Sequence, residues 1–207
     1  MTRRLTIIAL LAALAVVPGA RLRAAPGQRG SPIEPLPPVP PHLMFVPVDV
    51  AERMLELAKV AKNDVVYDLG CGEGRLAIAA AKKYGVRSVG VDNDRARIAA
   101  ANAAATQQGV SNLVRFVQAN TIDLSEATVV TMFAPQSVAW LSENGLLQTT
   151  LIRQLKAGAR IVTNVVPGSM KDWKPDRVDH FADARGNARA TIYLWKVQST
   201  KFKVQSK

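Results

Sequence analysis

The chain has 207 residues, 48% of them hydrophobic, which is enough for one well-buried core and short for two domains. Its net charge of +11 would suit nucleic acid, but five of those charges are arginines in residues 1–30, a stretch with no acid, and Lys196, Lys201, Lys203 and Lys207 gather near the C-terminus. A basic end in solvent explains such an excess without a nucleic-acid partner, and the single cysteine, Cys71, excludes an intrachain disulfide.

Residues 1–24 place Arg3 and Arg4 ahead of the largely apolar run Leu5–Val17, followed by Pro18 and Gly19, which is the pattern of an export signal. The run is shorter than the roughly 20 residues that span a bilayer as a helix, so cleavage is favoured over a permanent tether, although no clean A-x-A site is present. A cleaved signal, a membrane tether through residues 5–17 and a start codon placed too early all stay open. The first two make the protein exported or membrane-associated. Residues 25–41 contain seven prolines and two glycines and form a semi-rigid linker. A catalytic domain is expected over 42–197 and a basic tail over 198–207.

Within the domain, Asp49 followed by Glu52 predicts a capping box that opens a helix with Val50, Met54, Leu57 and Ala61 on its apolar face. Val65–Leu69 predicts a buried strand, Arg75–Tyr84 a helix, and Ser88–Val91 a second strand ending at Asp92; that order implies parallel pairing. Asp94 caps a further helix through Ala105. Strands are expected at Leu113–Val117, Val129–Phe133 and Arg160–Val165, with a helix over 138–155. The polar stretch Lys171–Arg189 has no helical pattern and Thr191–Val197 is strand-like, so an antiparallel hairpin should close the sheet. The fold expected is α/β: a Rossmann-like, seven-stranded, mostly parallel sheet with helices on both faces and an antiparallel C-terminal strand.

Ligands of open α/β sheets sit beyond the carboxyl ends of the strands. The first such end reads VVYDLGCGEGR, with Asp68 closing the strand and glycines at 70, 72 and 74, where backbone can turn sharply and a ligand can approach the main chain. Asp92 ends the next strand, where a carboxylate can accept from both ribose hydroxyls of an adenosine. The dinucleotide fingerprint fails, because Arg75 stands where its last glycine belongs. The acidic loop residues Asp68 and Glu73 would repel a pyrophosphate but suit the ammonium and sulfonium of S-adenosylmethionine (SAM).

With DLGCGEG as first motif, VGVDND as second, and VVTMF and KAGARIVTNVV as fourth and fifth strands, the sequence resembles the class I SAM-dependent methyltransferases. The resemblance implies SAM as cofactor, Asp68 near its methionine moiety, Gly70, Cys71, Gly72 and Gly74 as the cofactor loop, Asp92 on the ribose, Asn93 flanking the adenine, and Asn120 with Thr121 at the adenine edge. Asn120 stands where many members have Asp. FVPVDVAERMLELAKV, DLSEATVVTMFAP, DWKPD and TIYLWKV further resemble the small lysine methyltransferases related to the mitochondrial enzymes that modify the ATP synthase c subunit and the adenine nucleotide translocase. That implies a protein substrate, and a membrane protein in particular.

In-line methyl transfer needs an uncharged amine aligned with the methyl group, and an apolar channel would disfavour the ammonium of a lysine, whose free pKa is about 10.4. Phe45, Pro47, Phe133, Pro135 and Trp173 are candidates for that channel. No His/Cys/Asp cluster has metal spacing, and His42 and His180 fall in predicted loops. Base methyltransferases would carry a D/N-P-P-aromatic turn where this chain has Phe133-Ala134-Pro135-Gln136, which argues against nucleic acid. A small-molecule acceptor stays open. So does a non-catalytic exported binding protein, since a cleaved signal would carry the domain away from an obvious SAM supply.

Overall fold

A computed structural model describes residues 45–119, 122–133, 153–167, 170 and 173–198. The chain divides into two units, Met1–Pro38 and Val39–Lys207, and every described residue belongs to the second. The N-terminal segment, the proline-rich linker, the tail beyond Gln198 and most of the helix expected at 138–155 lie outside the described residues.

The described elements run α1 (Val48–Leu57), β1 (Val65–Leu69), α2 (Arg75–Tyr84), β2 (Arg87–Asp92), α3 (Arg95–Gln107), β3 (Val114–Gln118), β4 (Val129–Met132), β5 (Arg160–Thr163), β6 (Arg177–Ala182) and β7 (Ala188–Lys196). They form one seven-stranded sheet in the order β3-β2-β1-β4-β5-β7-β6. Strands β1 to β5 pair in parallel, and β7 runs antiparallel between β5 and β6. The expected mostly parallel sheet with a terminal antiparallel hairpin is therefore what forms. β6 itself has no apolar run to announce it. Its register, with Asp179 opposite Ile192 and Phe181 opposite Ala190, comes from pairing with β7. His180, expected in a loop, lies on this strand with its Nδ1 3.2 Å from the Thr191 hydroxyl.

Two details of α1 differ from the sequence reading. Pro47 occupies the N-cap without a side-chain cap, and Asp49 lies inside the first turn, where its carboxylate accepts from Nε and one terminal nitrogen of Arg189 at 2.9 and 3.2 Å. A carboxylate held by a guanidinium on β7 is not available to cap, so the Asp49/Glu52 box does not form. The helix also stops at Leu57 and leaves Ala61 outside, because Lys59 adopts a left-handed conformation and turns the chain toward β1. Asp94 does cap α3, accepting from the N–H groups of Ala96 and Arg97.

Alternation along the strands separates two apolar layers. Val66, Val129, Val162, Ile192 and Leu194 face α1 and α2, while Val114 and Phe116 continue that face toward α2 and α3. Tyr67, Leu69, Val91, Val130 and Met132 point the other way, into a layer with Leu124, Leu155, Met170 and Trp195. Phe116 sets the spacing under the first turn. A Cβ at Gly90 would lie 2.4 Å from its ring and 2.9 Å from the Cys71 sulfur, and one at Gly74 would lie 2.3 Å from the same ring. Gly90→Ala is therefore expected to lower stability by about 1–3 kcal/mol through overpacking. Chemical denaturation measures this; a variant of unchanged stability would show that Phe116 does not hold this position.

Candidate active site

The glycine turn is closed onto the end of β2. The N–H groups of Gly70 and Cys71 both donate to the Val91 carbonyl, at 2.8 and 3.0 Å, and the Gly72 N–H donates to Asp92 Oδ2 at 2.9 Å. Asp92 Oδ1 accepts from the Asp94 N–H, also at 2.9 Å. Asp92 is 4% exposed, so these two backbone donors satisfy a carboxylate that burial would otherwise penalise. A carboxylate has about four acceptor positions, so each oxygen keeps one for a further donor. Gly70, Gly72 and Gly74 all have positive φ, and a Cβ at Gly72 would meet nothing within 4 Å, which leaves open space at the middle of the turn.

Asp68 sits beside this turn, buried, and accepts from the Thr131 hydroxyl at 2.9 Å. Burial pushes its carboxyl up to about 7; the Thr131 hydrogen bond opposes the rise and the Asp92 charge adds to it. Thr131 escaped the sequence reading, although its place opposite Asp68 follows once β4 pairs with β1 in the observed register. Cys71 is a buried thiol whose pKa is raised by burial and by the two neighbouring aspartates. It stays protonated and packs, and has no nucleophilic character.

A cleft opens between Asp68, the turn from Gly70 to Glu73 and the start of α2, and is closed on the far side by Phe45, Val46 and Phe133. Of the residues expected to form an acceptor channel, Phe45 and Phe133 meet here. Pro47 instead starts α1, and its carbonyl accepts from Ala51. Trp173 belongs to the layer behind the sheet, where its carbonyl accepts from Trp195 Nε1 at 2.7 Å and the two rings stand 6.3 Å apart. Asn93 is exposed just past β2, and its carbonyl accepts from the Gln118 side chain. Asn120, Thr121 and Pro135 lie outside the described residues. Arg75, given no role from sequence, places its guanidinium 4.8 Å from the centre of the Phe45 ring and 3.7 Å from the Glu73 carboxylate. Among the described residues no group of His, Cys, Asp and Glu could hold a metal ion.

Comparison with known proteins places this geometry in a family. The profile of the ANTKMT methyltransferase domain matches residues 68–177. A protein-lysine N-methyltransferase of Saccharolobus islandicus strain REY15A is 40% identical over 166 residues, covering 78% of this chain and 98% of the relative. A solved structure from Salinibacter ruber, described as an RNA methyltransferase in complex with S-adenosyl-L-homocysteine, is similar at 35% identity and TM-score 0.62, over 78% of this chain and 98% of that one. TrmN from Thermus thermophilus, at 21% identity and TM-score 0.55 over 72% of this chain and 48% of that one, shares the fold.

The buried carboxyl makes stability pH-dependent with a definite sign. Native Asp68 keeps its proton up to about pH 7, whereas the unfolded chain releases it near the ordinary value of 3.8, so its contribution to stability falls as pH rises through that window. Asp68→Asn, which keeps an acceptor for Thr131 and cannot ionise, is expected to gain on the native chain by on the order of a few kcal/mol between pH 4 and pH 8 in the ligand-free protein. Urea unfolding of both proteins at the two pH values measures the gain, and a pH-independent difference would exclude burial of Asp68 as its source.

Proposed function

The chain belongs to the ANTKMT family of class I SAM-dependent methyltransferases, and from that membership we propose that it is a protein-lysine N-methyltransferase. The observation that carries the reading is the relative from Saccharolobus islandicus, a protein-lysine N-methyltransferase aligned over 98% of its length. The chemistry of the cleft agrees with it. An apolar wall of Phe45 and Phe133 disfavours the charged form of an amine that must arrive without its proton.

The donor set fits SAM on three counts. Asp92 keeps an acceptor position on each oxygen for the two ribose hydroxyls. The open space at Gly72 lets the ligand lie against the main chain. Asp68, which has no cation among its hydrogen-bond partners in the described residues, suits the ammonium of the methionine moiety. When bound, SAM supplies an electrophilic methyl group on a sulfonium. The chain's part is positional: Asp68, the glycine turn and Asp92 would hold the cofactor so that its methyl group lies in line with an arriving lysine nitrogen, and the aromatic wall of Phe45 and Phe133 would keep water from competing. We assign the cofactor to Asp68, Gly70, Cys71, Gly72, Gly74, Asp92 and Asn93, with Asn120 and Thr121 at the adenine edge, and the acceptor channel to Phe45 and Phe133.

The acceptor we propose is a membrane protein, because the apolar run Leu5–Val17, where it is retained, would hold the domain at a membrane through the linker over 25–41. No described helix is long and apolar enough to cross a membrane. The competing acceptor is RNA, as the description of the Salinibacter ruber relative suggests. Incubating the protein and Asp92→Ala with methyl-labelled SAM, a membrane fraction and total RNA separates the two. Label on lysine in membrane proteins, lost in the variant together with at least tenfold in SAM affinity, is expected. Label released by nuclease would instead assign the chain to RNA.

A further inference from the structure

We propose that Arg75 forms a carboxylate-binding subsite, so that the cleft recognises the amino-acid end of its cofactor as a zwitterion, with Asp68 facing the ammonium and Arg75 the carboxylate. The inference rests on the SAM reading above and extends it to a residue and a ligand group that the reading leaves unassigned.

Three observations and the chemistry of the ligand carry it. Among the described residues that line the cleft Arg75 is the one cation, and it shares that cleft with Asp68 and the glycine turn. The methionine moiety brings one positive and one negative group on the same carbon, so a site with a lone acid would leave the carboxylate facing Asp68 and Glu73 without compensation. The guanidinium is also held without being used up. The Phe45 ring at 4.8 Å and the Glu73 carboxylate at 3.7 Å fix its position, yet both contacts lie beyond hydrogen-bond distance, and among the described residues the Arg75 side chain makes no hydrogen bond. Its planar fork of N–H donors is the geometry that grips a carboxylate with two parallel bonds. Finally, Arg75 is the first residue of α2, whose N-cap Gly74 offers no side-chain cap, so the positive end of the helix backbone lies on the same side.

A structural role alone accounts poorly for this placement. Arg75 and Glu73 are 44% and 41% exposed, and a loose ion pair at that exposure contributes little to folding. What the pair does is orient the guanidinium over Phe45, at the rim of the space that the turn leaves open.

The test compares ligands that differ only in the carboxylate. Calorimetry on the full chain would measure S-adenosylhomocysteine and its decarboxylated analogue, 5′-deoxy-5′-(3-aminopropylthio)adenosine, against the native protein, Arg75→Gln and Arg75→Lys. The native protein should bind S-adenosylhomocysteine at least tenfold more tightly than the analogue. Arg75→Gln should reduce S-adenosylhomocysteine to the affinity of the analogue and leave analogue binding unchanged, which also shows that the variant is folded; Arg75→Lys should recover part of the difference. Equal loss of both ligands in Arg75→Gln, or no loss of either, overturns the proposal while the cofactor reading stands. Failure of the native protein to bind S-adenosylhomocysteine overturns both.

Discussion

The hydrogen bond from the Gly72 N–H to the Asp92 carboxylate is the contact on which the site depends. It joins the middle of the first strand-to-helix turn to the end of the second strand, and with the paired donors to the Val91 carbonyl it gives the turn one shape. The same carboxylate also holds the Asp94 backbone, whose side chain caps α3. One buried acid therefore couples the turn, the second strand and the helix that follows it, and a ligand that competes for Asp92 acts on all three.

That shape is possible because Phe116 lies beneath it. The ring fills the space left by Gly74 and Gly90, so α2 and α3 come down onto the sheet where side chains on those residues would have kept them apart. The glycine spacing of the first motif thus answers two constraints. Gly72 leaves open space over the turn, whereas Gly74 makes room for the core. A sequence pattern shows three glycines alike and does not separate these roles.

The far wall of the cleft is braced by the other end of the chain. Arg53 on α1 makes two 2.8 Å hydrogen bonds to Asp179 on β6, and Asp49 on α1 accepts from Arg189 on β7. The C-terminal hairpin thereby fixes the helix whose leading residues, Phe45 and Val46, close the space in front of Asp68. Asp68 itself is held at a cost: a carboxyl buried against Thr131 with a second acid nearby contributes less to stability as pH rises toward 7. A buried acid carries that penalty as long as no cation compensates it, and the local instability follows from electrostatics.

By itself the sequence determined the order of the elements, the parallel sheet and the turn chemistry, because these rest on local signals: apolar runs of strand length, glycines at positive φ, and Asp94 as a cap. VVYDL and RLAIAAAKKY fall on strand and helix with the boundaries that their patterns suggest. Only the tertiary structure decided what depends on residues far apart in the chain. Asp49 reads locally as a cap and becomes the partner of Arg189, 140 residues away. Trp173 reads as an aromatic near a binding site and packs behind the sheet, where its carbonyl accepts from the Trp195 indole on β7. Thr131 and Arg75 carry no motif of their own; they matter because the β1–β4 register and the start of α2 bring them to Asp68 and Phe45. Local conformation is encoded by neighbours within one turn or one strand, whereas the partners of a charged or aromatic side chain are set by which strands pair and which face each residue takes.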